Sequence, residues 1–333
     1  MKNKNFTVIG GGMGTYSVLF GLKKYTDKIT AIVTMADSGG SAKKERDEWG
    51  LLPSSDIRKS LIALSDVSSE DSMLLRRLFQ YRYSEGSGVT GMSFGNLFLV
   101  ALTKLLNSQE KAIVKAAKIL KIKGRVLPVT NQKCDLIASY ADGSKVIGEH
   151  FIDEPKHNGE IKLTNLSTKP ATYATPQVKK AIEDSDVIIL GPGGFYTTVI
   201  ANLVVKGVVD SIKKSRAVKI FILNLMTEYG QTYRFTASKF IHELDKYLPI
   251  KHLDFCLVNN APIPGKVLLK YKKFHAVPVV NDFEKTTPFK VISADLISGK
   301  TVRKEKGDLL LRSFIRHDPE KLASLCIKIA NLV

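Results

Sequence analysis

The sequence predicts an α/β protein: a Rossmann-like three-layer sandwich with a mostly parallel sheet and a small β-rich insertion. Three observations carry this prediction. Short apolar runs that read as buried strands alternate with stretches of helical period, which gives a parallel sheet covered on both faces. Glycine-rich loops follow directly on several of those strands. One stretch, about 125–170, switches to a period of two. The 333 residues suit a single domain over 1–333 with that insertion inside it.

Phe6-Thr7-Val8-Ile9 opens a buried strand over 6–10, and a helix over 14–25 carries Val18, Leu19 and Leu22 on one face. Ile29-Thr30-Ala31-Ile32-Val33-Thr34 is the second strand. A polar, glycine-bearing loop is expected over 37–55, then helices over 56–67, 71–83, 94–106 and 112–120. Within the insertion, alternation over 134–140 and 145–148 around Asp142-Gly143 reads as a hairpin closed by an Asp-Gly turn. The α/β rhythm resumes with a strand over 186–190, a helix over 198–213, and strands over 218–224 and 255–258. Asp318-Pro319-Glu320 opens the last helix, with an aspartate cap and proline at the first position.

Composition bounds the function. With 44% hydrophobic and 25% charged residues, the chain can bury a sizeable core. No apolar run reaches the roughly 18 residues of a spanning helix, and the N-terminus carries no secretory pattern. The expectation is a soluble, cytoplasmic protein without membrane contact. Cys134, Cys256 and Cys326 follow no metal or disulfide spacing. The formal charge of +18 suggests anionic ligands. The lysines, however, fall in scattered pairs such as Lys43-Lys44 and Lys213-Lys214. No dense block or aromatic-basic signature accompanies them, so they read as solvated helix faces and weigh against nucleic acid.

The chemistry lies in the loops. Gly10-Gly11-Gly12-Met13-Gly14 joins strand to helix, where glycine lets the backbone approach a ligand and helix-start amides favour phosphate. A dinucleotide pattern needs a third glycine at position 15, which is Thr15, and no P-loop is present. Asp37-Ser38-Gly39-Gly40-Ser41 follows the second strand, so it should lie beside the first loop at the carboxyl edge. Asp37 could ligate magnesium, take a ribose hydroxyl, or be a turn aspartate. Asp56 reads as a helix cap or a site residue. Arg58, a cation in a helix's first turn, opposes the macrodipole unless an anion relieves it. Ser93 and Asn96 start another helix and suit an anion or a sugar hydroxyl, although Ser93 also suits a simple cap. Gly191-Pro192-Gly193-Gly194-Phe195-Tyr196-Thr197-Thr198 repeats the strand-loop-helix arrangement, and Asn224 begins a further polar loop at a strand end. In an open α/β sheet these strand ends converge on one crevice. The six histidines show no metal pairing, and no nucleophile elbow is present.

Taken in order, these blocks resemble the gluconeogenesis-factor family (YvcK-type), which is similar to the CofD-type 2-phospho-L-lactate transferases of deazaflavin coenzyme synthesis. The resemblance also rests on Leu78-Phe79-Gln80-Tyr81-Arg82, Ser93-Phe94-Gly95-Asn96-Leu97 and Asn224-Leu225-Met226-Thr227. It implies a CofD-like fold and a nucleotide-sugar ligand such as UDP-N-acetylglucosamine or UDP-glucose. It further implies a regulatory role in cell shape, envelope synthesis and carbon metabolism. The related transferases move a phospholactyl group from a nucleoside diphosphate carrier with magnesium. The phosphate-loop glycines carry over to Gly10, Gly11, Gly12 and Gly14, the acidic loop to Asp37, Gly39, Gly40 and Ser41, and the helix-start pair to Asp56 and Arg58. Gly191, Gly193, Tyr196, Thr197, Ser93, Asn96 and Asn224 complete the expected ligand set, with Asp37 the metal candidate. Met13, Ser38, Met92, Gly194 and Glu228-Tyr229 depart from the family's usual residues. Losing a second loop carboxylate at Ser38 weakens a magnesium site, which favours a binding protein over a transferase. An NAD-dependent oxidoreductase and a nucleic-acid binder are the remaining rivals. A homodimer and a regulatory protein partner are both compatible with the sequence.

Overall fold

The computed structural model describes residues 4–299 and 313–332. In chain order, β1 (Phe6–Gly10) leads through α1 (Gly12–Leu22) to β2 (Ile29–Val33). Then come α2 (Gly40–Trp49), α3 (Ser55–Leu64), α4 (Glu70–Gln80), α5 (Phe94–Leu106) and α6 (Gln109–Ile119), before β3 (Arg125–Pro128). β4 (Asp135–Tyr140), β5 (Lys145–Ile147), α7 (Glu149–Asp153) and β6 (Leu163–Lys169) form a unit of their own. The chain returns through α8 (Pro176–Glu183) to β7 (Val187–Leu190), a π-helical stretch (Phe195–Ile200), α9 (Ala201–Leu203), α10 (Val208–Lys214) and β8 (Val218–Ile222). It continues with α11 (Ala237–Asp245), β9 (Phe255–Asn259), α12 (Gly265–Lys272), β10 (Lys290–Ala294) and α13 (Pro319–Ala330).

Among the described residues the main sheet has seven strands in the order β10-β9-β8-β7-β1-β2-β3, and each neighbouring pair is parallel. The second sheet, β5-β4-β6, is antiparallel. Strand side chains alternate between two cores because the strand period is two. Phe6, Val8, Ala31, Val33 and Ile189 enter the core beneath α1, α3, α5 and α13. Ile9, Ile32, Ile188 and Leu190 enter the opposite core, which also takes Leu136, Ala138 and Leu166 from the small sheet. Each fully buried aliphatic of this kind contributes about 1.5–3 kcal/mol. No helix among the described residues is long and apolar enough to cross a membrane.

The strand order contains a switch point. From β1 the chain winds to one side through β2 and β3, then returns to lay β7 on β1's other side. Loops leaving β1 and β7 therefore depart toward opposite faces and open a crevice between them, the place where ligands of such sheets bind.

Several elements differ from expectation. The 37–55 stretch holds α2, whose inward residues are Ala42 and Glu45. An i, i+3 pair of alanine and glutamate gives no apolar stripe to detect. Arg125–Pro128, which the period grouped with the insertion, pairs in parallel with β2 in the main sheet. The helix expected over 198–213 starts earlier as the π-helical stretch and breaks before α10, where Gly207 has φ 92°. Short, polar-flanked β10 and helices α8, α11 and α12 had no counterpart in the expected pattern.

Candidate functional site

At the switch point lies a cleft of about 670 Å³, lined by Gly12, Met13 and Gly14 from the first loop and by Pro192, Gly193 and Gly194 from the loop after β7. That volume is typical of small-molecule sites. The two loops are in direct contact: a Cβ on Gly14 would stand 2.2 Å from the Pro192 carbonyl oxygen. Asn202, fully buried, donates its Nδ2 to the Gly10 carbonyl at 2.9 Å and so ties the end of β1 to the helical stretch after β7.

The first-loop glycines have separate tasks. Gly11 has extended backbone and its amide donates to Thr15 Oγ1 at 2.8 Å, so that amide is already used. A side chain on Gly11 would collide with the Asp56 carboxylate, 2.2 Å from the built Cβ, and one on Gly10 with Thr15 Oγ1. Gly12 has φ +65°, and a Cβ there would meet open space. It starts α1, which has no side-chain cap, so its first-turn amides need partners from outside the helix.

Behind this loop stands a set of carboxylates. Asp56 is buried and pairs with Lys59 Nζ at 2.8 Å. Asp37 Oδ1 accepts from the Gly39 amide at 3.0 Å. Burial pushes the Asp37 carboxyl up, Lys59 opposes the shift, and Asp56 adds to it. Glu149 is pushed well up by burial and by the charges of Asp37, Asp153 and Asp56. Asp153 is exposed on the cleft wall, where desolvation by the neighbouring protein raises its carboxyl against a hydrogen bond from Gln231. Burial and then Asp153 push Glu228 up to about 8. Among the described residues, no three His, Cys, Asp or Glu side chains form a metal-holding group.

The structure brings only some of the expected residues to the cleft. Gly12, Gly14, Gly193 and Asn224 line it. Asn224 Nδ2 donates to the Gly193 carbonyl at 2.8 Å, joining the end of β8 to the β7 loop. Gly10 and Gly11 lie beneath the loop. Gly191, with φ +72°, forms the exit of β7. Asp37 and Gly39 sit outside the lining, with Gly39 against His150 of α7. Gly40 and Ser41 form the first turn of α2.

Arg58 points into the protein: its Nε donates to Asn96 Oδ1 at 2.7 Å and its Nη1 to the Phe79 carbonyl at 3.2 Å. Asn96 Nδ2 in turn donates to Glu45 Oε1 at 2.6 Å. The macrodipole conflict at Arg58 is thus met by a buried amide and carbonyl, not at the cleft. Burial pushes Glu45 up to about 7, against hydrogen bonds from Ser54 and Asn96. Ser93 caps α5, accepting from the Asn96 amide. Tyr196 is fully buried and donates to Glu243 Oε2 at 3.1 Å; Thr197 is buried beside it.

The opposite wall was not anticipated. Asp153 and Lys156 from the insertion, Glu228, Tyr229 and Gln231 after β8, Tyr271 and Lys273 around α12, and Arg316 and His317 before α13 also line the cleft. Glu228-Tyr229 stood out only as a departure from the usual residues of the family that the sequence resembles. The others sit far apart in sequence, in segments without a strand-loop-helix signature.

The family model described as 2-phospho-L-lactate transferase CofD matches residues 6–297. Over 331 residues the chain is 38% identical to the gluconeogenesis factor of Halalkalibacterium halodurans, covering 98% of this chain and 97% of that protein. It is 36% identical over 326 residues to the gluconeogenesis factor of Bacillus subtilis, covering 98% of each. The crystal structure of a UPF0052 family member from Bacillus halodurans superposes with a TM-score of 0.87 at 35% identity, covering 98% of this chain and 99% of that one.

Proposed function

The chain belongs to the gluconeogenesis factor family and carries a CofD-type domain, and from that premise we propose that it is a nucleotide-sugar-binding regulatory protein. The observation that carries this is the uncapped start of α1, which together with the adjoining Pro192–Gly194 loop lines a cleft large enough for a nucleotide sugar. A diphosphate there would take the first-turn amides around Gly12 and Gly14, with Lys156, Lys273 and Arg316 of the lining supplying positive charge. On this reading the ligand is UDP-N-acetylglucosamine or UDP-glucose, and occupancy reports sugar-nucleotide supply to cell-shape and envelope control.

Thermal shift with UDP-N-acetylglucosamine, UDP-glucose, GDP and NADH tests it. A ligand at a hundredfold excess over its Kd adds about 2.7 kcal/mol. The expected result is a rise with the uridine ligands and none with NADH; a rise with NADH alone overturns the reading.

The carboxylates favour one second reading, a CofD-like transferase using magnesium. Asp37, desolvated beside Asp56 and Glu149 just outside the cleft lining, would supply a carboxylate of the kind magnesium prefers. The discriminating measurement is magnesium-dependent consumption of a phospholactyl-nucleoside diphosphate. Binding without turnover leaves the regulator.

A further inference from the structure

Helix α4 is apolar on two sides. On the inner side Phe79 is buried in ring contact with Phe94 and Phe98 of α5, and Leu75 packs against the same core. On the outer side Leu74, Leu78 and, at the end of the helix, Tyr81 recur at helical spacing, which sets them on one face. They are 53%, 41% and 54% exposed, and Met73 beside them is 48% exposed. A helix that is apolar all round is normally buried all round. Hydrophobics exposed singly need no explanation, but contiguous ones mark an interaction site. The block Leu78-Phe79-Gln80-Tyr81-Arg82 is thus only partly used inside the protein. Phe79 fills the core and Arg82 donates to the Gly91 carbonyl, while Leu78 and Tyr81 are left in solvent.

The charges on this face indicate what covers it. Glu70 and Asp71 occupy the first turn, and Arg77 occupies the last. Both ends lie on the same face as Leu74, because they stand three or four residues from it. All three charged residues are exposed, and none is in an ion pair among the described residues. The stripe therefore runs from negative to positive with leucine between. A second α4 laid antiparallel, about a two-fold axis beside Leu74, presents the reverse order. Asp71 then meets the partner's Arg77, Arg77 meets the partner's Asp71, and the two Leu74 side chains touch. Tyr81 reaches the stretch ahead of the partner's helix, where Val67 is also 44% exposed. Parallel copies would instead oppose like charges, which is costly.

We propose that the outer face of α4 is a two-fold interface between two copies of this chain. One helix face supplies far fewer than the roughly 20–30 residues a side of a standard interface, so the dimer is weak and exchanges with monomer. No residue of α4 lines the cleft, and the interface stands or falls independently of the nucleotide-sugar reading.

Sedimentation velocity of the full chain from about 1 µM to about 100 µM tests the proposal. Salt at about 0.15 M screens the repulsion between two chains of charge +18. The expected result is a dimer fraction that grows with concentration. Leu78→Glu and Arg77→Glu should each weaken association by about tenfold or more. Combining Arg77→Glu with Asp71→Arg should restore it, since the swap returns opposite signs to both contacts. These positions are exposed, so melting curves of the variants should match that of the wild type. Leu74→Cys sets one thiol beside the axis, and diamide is expected to link it into a dimer; Cys134, Cys256 and Cys326 are buried. A monomer throughout the range overturns the proposal and leaves the face to a different protein. A dimer unchanged by Leu78→Glu and Arg77→Glu overturns the assignment to α4. An open series of larger species overturns the two-fold geometry, because such a contact closes at two copies.

Discussion

Glycines that look alike in the sequence do different things in the fold. Gly12 needs positive φ and faces open space, whereas Gly14 has the Pro192 carbonyl 2.2 Å from where its Cβ would stand. Gly12→Ala should cost about 1–2 kcal/mol of stability, the strain of a left-handed alanine, together with most of the diphosphate affinity. Gly14→Ala should cost about 3 kcal/mol through overpacking against backbone. Chemical denaturation of both variants checks this, and the reverse order would contradict the assigned roles. Glu228 gives a pH prediction. Its carboxyl sits at about 8 in the folded protein against an ordinary 4.5, so the folded state holds the proton more tightly. Its contribution is full below pH 4.5 and is lost as pH rises through 8. Glu228→Gln should flatten the fall in stability between those values, measured as denaturation midpoints across pH; an unchanged slope would contradict the shift. The site was only partly legible at this scale. Residue type pointed to Arg58, Ser93 and Asn96, and these do cluster, but around Glu45 and the Phe79 carbonyl inside the protein. A buried guanidinium satisfied by neighbours and one waiting for a ligand have the same sequence signature.

Among the elements, strands β1, β2, β7, β8 and β9 and helix α5 match their sequence patterns closely, because apolar period and glycine punctuation are local properties. Helix α2 was hidden because its inner face carries Glu45, whose carboxylate accepts from the Ser54 amide at 2.8 Å and from Asn96. Only the partners make that burial affordable. Helix α13 was announced by its cap: Asp318 Oδ1 accepts from the amides of Glu320 at 2.9 Å and Lys321 at 3.1 Å. It docks on α1 so closely that a Cβ on Gly21 would lie 2.0 Å from the Pro319 carbonyl. Asp318→Ala should cost about 1 kcal/mol, which lowers Tm by about 2–4 °C in a chain of this size. Differential scanning calorimetry checks the value, and no change would mean the cap is dispensable.

The whole molecule carries a formal charge of +18. Its like charges repel one another, and salt should relieve this. Between about 0.01 M and 0.15 M salt the Debye length shrinks from about 30 Å to about 8 Å. The melting temperature is expected to rise over that range while affinity for a nucleoside diphosphate falls, since its attraction to the net-positive chain is screened as well. A scanning-fluorimetry salt series with and without UDP measures both, and a falling melting temperature would show that attractive pairs outweigh the net charge. By itself the sequence determined the α/β class, the parallel sheet and the glycine loops at the ends of β1 and β7, because strand burial, helix period and backbone freedom are written into neighbouring residues. Tertiary structure alone decided that Gly12 faces a cleft while Arg58 does not, and that Asp153, Glu228 and His317 line the same cleft. Those outcomes depend on contacts between residues far apart in the sequence, such as Asn202 and Gly10, 192 positions apart.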